Sequence, residues 1–306
     1  MSASKLFNGL LLMLVLLLPQ GTVAQNYFVA RVTPESGTVE YRSVSGEWIV
    51  FNEVRYMVNG NAIRTQAGST ALVEIPGQQN SSRLVENSQF EVENNLVELV
   101  RGEFTNPRIV ADNLMDKMQS KLQGAMSFLS ARRQAPCQPV VRTARNLTVS
   151  AQFPDLVWQN ACPTYSYRLT IDGETHEIGS PGEDKFVRFT VAGVEPGEHR
   201  YKVEILDNGR VVYSPSSESV FEWVGEPTSG ELDSRVAGLE RDVFAQTDLL
   251  EENGFLVAAM LAYRDYFQEH SEQNHLRPLL IKAYAQLGLY DLQSEEVRLY
   301  NTLRSI

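Results

Sequence analysis

The chain has 306 residues, with 27 Lys+Arg against 38 Asp+Glu, a formal net charge of −11 and 43% apolar residues. An acidic balance of that size argues against a nucleic-acid binder, which needs a concentrated basic footprint for phosphates, and the apolar content suffices for packed cores, which excludes wholesale disorder. Two cysteines exclude a cysteine-dense scaffold and a Cys-rich zinc module, and at roughly 100–150 residues per domain two or three domains are expected.

Residues 1–24 read as a secretory signal peptide. Lys5 supplies the positive start, Leu10 to Leu18 is an unbroken apolar run, Pro19, Gln20 and Gly21 break the helix, and Thr22-Val23-Ala24 places small residues before a cleavage point after Ala24. The alternative is a transmembrane anchor, but a span needs ~20 apolar residues and Asn8 and Pro19 bracket this one. No cysteine lies near the cleavage point, so lipid anchoring is disfavoured and a periplasmic or otherwise exported protein is expected. Without the leader the chain keeps 26 basic and 38 acidic residues, net −12.

Residues 25–110 predict an all-β domain. Phe28 to Val32, Gly37 to Tyr41, Thr70 to Ile75, Phe90 to Glu93 and Leu96 to Val100 are short runs rich in β-branched and aromatic residues. Turn-formers separate them at Pro34–Gly37, Asn59-Gly60-Asn61 and Pro76-Gly77. Strands at this spacing indicate an antiparallel sandwich or roll. The stretches Gly37-Thr38-Val39, Trp48, Asn59 to Thr65, Ser69 to Ile75, Ser88 to Val92 and Val100 to Glu103 resemble the FecR domain, with Asn61 where that family usually has Asp. In its best-known members this domain sits on the periplasmic side of a membrane protein that relays iron-siderophore signals to a sigma factor. This chain shows no cytoplasmic helical domain followed by a membrane span, so the resemblance implies the free-standing exported kind, a binding module without catalysis. A periplasmic sensor or accessory in trans-envelope signalling is the alternative it implies. Arg64, after the tight turn, is expected to bond local carbonyls and is a candidate contact residue.

Residues 111–141 change character. Leu114, Met118, Leu122, Met126 and Leu129 repeat at helical spacing, with Asp112 or Asn113 as a cap, and predict an amphipathic helix. Its stripe either packs on a β domain or faces a partner. From Lys117 through Pro154 there is no acidic residue, while Lys117, Lys121, Arg132, Arg133, Arg142 and Arg145 contribute six positive charges. Two readings stay open: contact with an anionic polymer, headgroup or acidic protein, or a basic linker neutralised by its own acidic neighbours.

Residues 142–226 predict a small β-sandwich, with hairpins at Asp172-Gly173 and Asn208-Gly209. Trp158 resembles the core tryptophan of an immunoglobulin-like fold, and Val194 to Tyr201 resembles the loop and tyrosine of fibronectin type III domains. Cys137 and Cys162 flank the start of this domain, and in an exported protein a structural disulfide, stabilising by ~3 kcal/mol, is expected.

Residues 227–306 predict helices. A self-match at 34 residues aligns Leu250 with Tyr284, Gly254 with Gly288 and Leu256 with Tyr290. The pattern is similar to degenerate tetratricopeptide repeats, which implies a groove for a peptide or helix, with Tyr263 and Tyr284 at aromatic positions. The alternative is that two hairpins simply dock on the sandwich.

No catalytic signature is present. There is no His-Glu-x-x-His, no Gly-x-Ser-x-Gly and no phosphate-binding glycine loop. Asp172, Glu174 and His176 alternate along one strand and are weighed as ligands against a solvated hairpin edge. The expectation is a multidomain β-plus-α protein: β domain, linker helix, sandwich and helical hairpins. It would bind envelope proteins or cell-wall glycan, with weak membrane-surface contact at most, and use no catalytic residue, cofactor or metal.

Overall fold

The computed structural model describes residues 27–44, 46–109, 114–130 and 135–304. The leader, the capping candidates Asp112 and Asn113, and Arg132 and Arg133 lie outside the described residues.

Alternating apolar residues fold the first region into two antiparallel sheets. The strands are β1 (Ala30–Ser36), β2 (Val39–Arg42), β3 (Ile49–Val50), β4 (Arg55–Met57), β5 (Ala62–Thr65), β6 (Thr70–Glu74), β7 (Asn80–Leu84), β8 (Gln89–Glu93), β9 (Leu96–Arg101) and β10 (Phe104–Ile109). One sheet runs β10-β7-β6-β1-β4 and the other β3-β2-β5-β8-β9. Val32, Val39, Tyr41, Ile63, Val73, Phe90 and Val92 are among the inward side chains that fill the space between them, as expected where one sheet face is buried and the other wet.

Helix α1 (Leu114–Ala125) follows, ending in a single 3₁₀ turn at Met126–Phe128. Its stripe of Met115, Met118, Leu122 and Ala125 is buried, so the apolar face packs inside the molecule.

The next strands form the sandwich: β11 (Leu147–Ser150), β12 (Asp155–Gln159), β13 (Ser166–Ile171), β14 (Glu174–Ile178), β15 (Phe186–Thr190), β16 (Gly197–Asp207), β17 (Arg210–Tyr213) and β18 (Ser219–Val224). The larger sheet runs β11-β18-β16-β13-β14 with β17 beside β16, and β12 pairs β15 in the smaller one. β11 and β18 are parallel, which brings the two ends of the sandwich together. Trp158 is fully buried against Tyr167, and the Tyr201 hydroxyl donates to the Ala144 carbonyl at 2.9 Å. The two tight hairpins form where Asp172-Gly173 and Asn208-Gly209 predict them, all four residues at positive φ. Cys137 and Cys162 are disulfide-bonded, 25 residues apart in sequence.

The last region contains α2 (Thr228–Ala237), α3 (Val243–Glu252), α4 (Leu256–Glu269), a 3₁₀ segment at Ser271–Leu276, α5 (Pro278–Gln286) and α6 (Tyr290–Arg304). Asp242 caps α3 by accepting from the Phe244 and Ala245 N–H groups at 3.1 Å, and Pro278 sits in the first turn of α5. α3 packs on α4 and α5 on α6. Among the described residues no helix is long and apolar enough to cross a membrane.

The 34-residue self-match has its physical origin at the two hairpin turns. Gly254 and Gly288 are both left-handed, with φ of 81° and 73°, which favours glycine. Both also abut the first segment of the sandwich. A Cβ on Gly254 would lie 2.3 Å from Thr148 Oγ1, and one on Gly288 3.2 Å from the Arg142 carbonyl oxygen. The Thr148 N–H donates to the Gly254 carbonyl at 3.0 Å. The repeat is thus a repeated docking contact.

That docking continues through the molecule. One apolar cluster takes Phe28 and Tyr56 from the β sheets, Met118 and Leu122 from α1, Trp158 and Leu169 from the sandwich, and Phe244, Leu280 and Tyr284 from the helices. The regions share a core rather than hanging from linkers, and close packing of this kind leaves little relative freedom.

Candidate functional site

Most of the side chains singled out from the sequence turn inward or pair within the chain. Tyr263 and Tyr284 are buried in the shared core. They line no groove, because α1 packs on α5 and the sandwich packs on α4 where a repeat array would stay open. Lys117 reaches Asp248 at 3.0 Å and Glu252 at 2.5 Å, and Lys121 reaches Asp248 at 2.6 Å and Glu251 at 2.9 Å. Burial works against the Asp248 carboxylate, but the two ammonium groups outweigh it and hold its pKa below the usual carboxylate range. Acidic residues of α3 neutralise these two lysines of the acid-free run, which are α1's ties to α3. Arg142 lies over the Tyr290 ring at 5.5 Å. Arg145 is exposed.

Arg64 bonds a carboxylate instead of local carbonyls. Its guanidinium grips Glu40 with two hydrogen bonds of 2.7 and 2.8 Å across the β2–β5 pair. It also covers the Trp48 ring at 4.4 Å, while Arg42, itself bonded to Glu91 at 2.9 Å, lies 5.0 Å from the same ring. These groups form a charged ladder on the outer face of β3-β2-β5-β8-β9.

A second ionic cluster, built from residues far apart in sequence, joins the β sheets to the helices. Arg31, on β1, bonds Asp242 at 2.6 and 2.9 Å and also Glu74. Arg55, on β4, bonds Glu272 and lies 3.1 Å from His270 Nδ1, and His270 Nε2 is 3.0 Å from Glu53. Arg241 donates to the Asn52 and Pro34 carbonyls at 2.7 and 2.8 Å, and the Val54 N–H donates to the Arg241 carbonyl at 2.8 Å. Burial opposes the charge on Glu272, yet His270, the backbone and Arg55 pull its pKa down to about 2. Burial drives His275 the other way for a base, down to about 4, against a hydrogen bond with the Tyr56 backbone. The available signal was the placing of Arg31 and Arg55 inside apolar strands, since an arginine rarely sits there without a partner.

The hairpin residues Asp172, Glu174 and His176 border a cleft of about 360 Å³ with Phe189 and His199. His199 is held at both ring nitrogens by acceptors, Asp172 at 2.6 Å and the Glu195 carbonyl at 2.7 Å. Burial opposes its charge, but these two acceptors raise its pKa. Both ring nitrogens are thus engaged within the chain. Among the described residues no three His, Cys, Asp or Glu side chains are grouped to hold a metal ion. A smaller cleft of about 220 Å³, between the sandwich and α4, is lined by Phe153, Phe255, Leu261, Asp155 and Arg188.

The open apolar surface lies elsewhere. β9 forms one edge of its sheet, and Leu96, Leu99 and Val100 are 62%, 44% and 55% exposed along it. Ile49 and Val50 stand exposed on β3 at the opposite edge. The large hydrophobic side chains that reach solvent among the described residues are all aliphatic.

The architecture defines a class: a β module and an immunoglobulin-like sandwich docked on α-helical hairpins. Residues 141–224 match the family model of the magnetotaxis protein MtxA immunoglobulin-like domain, and residues 232–302 match that of the MtxA C-terminal domain. The sandwich and the helical region are thus similar to MtxA modules. These matches overturn the FecR resemblance and the tetratricopeptide likeness. The Ile63-Arg64-Thr65 stretch meets ordinary demands of paired strands: Arg64 grips Glu40, and Thr65 Oγ1 donates to the Val85 carbonyl at 2.5 Å. No curated protein matches the chain. Among solved structures, the BSP domain of a biofilm-associated protein is 11% identical with a TM-score of 0.22, covering 65% of this chain and 26% of that one. The Bacteroides ovatus mixed-linkage glucan utilization protein SGBP-B, in complex with a heptasaccharide, is 11% identical with a TM-score of 0.21, covering 67% and 40%. The FN1–FN3 domains of chicken CNTN1 are 10% identical with a TM-score of 0.20, covering 65% and 62%. The chain thus spans less than two thirds of each, and at those scores none bears on what it does.

Proposed function

We propose that this chain is a non-catalytic, exported binding scaffold whose β module, sandwich and helices are locked into one body that displays the outer sheet of the β module to a protein partner. The observation that carries this reading is the contrast between the packed shared core and an exposed aliphatic edge at β9. Arg64, Lys117, Lys121, Tyr263 and Tyr284 are committed within the chain, while Leu96, Leu99 and Val100 are exposed to water. Exposed apolar side chains clustered on one strand of an otherwise packed protein are a candidate interaction site.

A protein partner fits this surface better than a glycan. Glycans are gripped by open aromatic faces, and Trp48, the ring on this sheet, is covered by Arg42 and Arg64. Export is supported by the leader pattern of residues 1–24 and by the Cys137–Cys162 bond, which suits an oxidising compartment. The MtxA modules bear a name drawn from a cellular behaviour, magnetotaxis, which accords with a structural or signalling part. Crosslinking in the native envelope followed by peptide mapping tests the proposal: partner crosslinks should fall on β3, β9 and their flanks. Crosslinks confined to the sandwich or helices, or turnover of an envelope substrate by the purified protein, would overturn it.

A further inference from the structure

The β9 edge has features of a self-complementary strand. Among the described residues its backbone pairs a strand, β8, on one side only, so the other side is an edge of the kind that serves as a template for adding a strand. The β8–β9 register shifts between Gln89 and Phe90, so that Arg101 faces Gln89, Leu99 faces Phe90 and Val100 is the extra residue of a bulge. Leu99 and Val97 therefore lean toward the core face, while Glu98, opposite Glu91, shares the outer face with Arg101, opposite Gln89. Glu98 and Arg101 are both exposed, and neither is ion-paired among the described residues.

We infer that a second copy of this chain occupies the edge, by antiparallel pairing of β9 with its mate about a two-fold axis through Leu99. This rests on the scaffold reading above and gives its partner an identity. In that register Leu99 meets Leu99 of the other copy, and each Glu98 lies beside the Val100–Arg101 bulge of the other strand. The result is two equivalent Glu98–Arg101 pairs flanking an apolar centre. Centring the pairing on Glu98 instead would oppose two carboxylates, which is destabilising. The two-fold arrangement is closed and isologous, so it yields a dimer with a ten-stranded continuous sheet rather than a fibre.

Sedimentation velocity on the purified full chain, between about 1 and 100 µM, tests the inference. A concentration-dependent dimer is expected. Leu99→Lys should weaken it at least about tenfold. Arg101→Glu alone should weaken it, and the double swap Glu98→Arg with Arg101→Glu should restore it. Glu98, Leu99 and Arg101 are all exposed at the edge, and unchanged melting of each variant confirms that the monomer still folds. As a second measurement, Leu99→Cys should give a covalent dimer on oxidation, since directly opposed residues in an antiparallel pair lie ~4.5–5.5 Å apart at Cα and the native cysteines leave no free thiol. A monomer across the whole range, a dimer indifferent to Leu99→Lys, or a double swap that fails to restore association would overturn the inference. Partner crosslinks on β9 from a different protein, with the chain itself monomeric, would overturn it while leaving the scaffold reading intact.

Discussion

Two arginine–carboxylate clusters in this molecule use the same chemistry in opposite settings. On the outer sheet face Arg64 grips Glu40 with its side chain 27% exposed, whereas at the junction Arg55 grips Glu272 at 5%. Water screens the first, so its two good hydrogen bonds contribute little net stability. In the second the guanidinium has lost its water, and removing its carboxylate partner strands that charge in a low dielectric. The junction also fixes position: Asp242 both caps α3 and receives Arg31 from β1. One residue thereby couples the start of a helix to a sheet 211 positions away in sequence. The lesson is that a bidentate pair reads as structure or as surface according to what covers it.

The contrast can be broken most severely at the junction. Asp242→Ala removes the α3 cap and leaves Arg31 with Glu74 alone, and should cost about 3–5 kcal/mol in chemical denaturation. Next comes the docking of the helical hairpin on the sandwich. Gly254→Ala forces an unfavourable positive φ and a contact with Thr148, for about 2–3 kcal/mol. Gly288→Ala, with more room, should cost about 1–2 kcal/mol. Thermal melting of the pair would show whether the two turns differ as their clearances do.

Acidification sharpens the same comparison by degrees. The unfolded His275 imidazole takes up a proton below its ordinary pKa of about 6.5, but the buried one does so only near about 4. The unfolded state therefore binds more protons in that window, and stability falls as pH drops through it. Glu272, held at about 2, adds a second loss below the ordinary carboxylate range. Melting temperature should decline from near pH 6.5 downward, and His275→Gln should delay the decline to the carboxylate range. The smallest effect belongs to the outer face, where Arg64→Ala should cost below about 1 kcal/mol. A loss above about 2 kcal/mol there would mean that Trp48 and Glu40 hold the sheet together.

Much of the architecture was legible because alternation and helical spacing are local. The hairpins at Asp172-Gly173 and Asn208-Gly209, the buried Trp158 and the stripe of α1 all follow from residues within a few positions of one another. β7 escaped because its Asn80-Ser-Ser-Arg-Leu84 run is polar, and only Ser81 and Leu84 turn inward. Tyr263 and Tyr284 are ambiguous in the sequence for a related reason: aromatic residues at helical spacing look the same whether they line a groove or fill a core. Charge was least legible. Lys117 finds Asp248 131 positions away, and no count of neighbours along the chain reveals such a pair. The junction cluster, built from Arg31, Arg55, Asp242, Glu272 and His270, needed the fold before it could be seen.

The claim on which the rest depends is that the β module is mounted rigidly on the helices and sandwich. Amide hydrogen exchange at two cross-region bonds tests it directly: the Val54 N–H, bonded to the Arg241 carbonyl, and the Thr148 N–H, bonded to the Gly254 carbonyl. Both should exchange only through global unfolding, as slowly as the central strand β13. Exchange at Val54 that is orders of magnitude faster, while β13 stays protected, would mean that the β module swings free and that the shared core does not exist in solution.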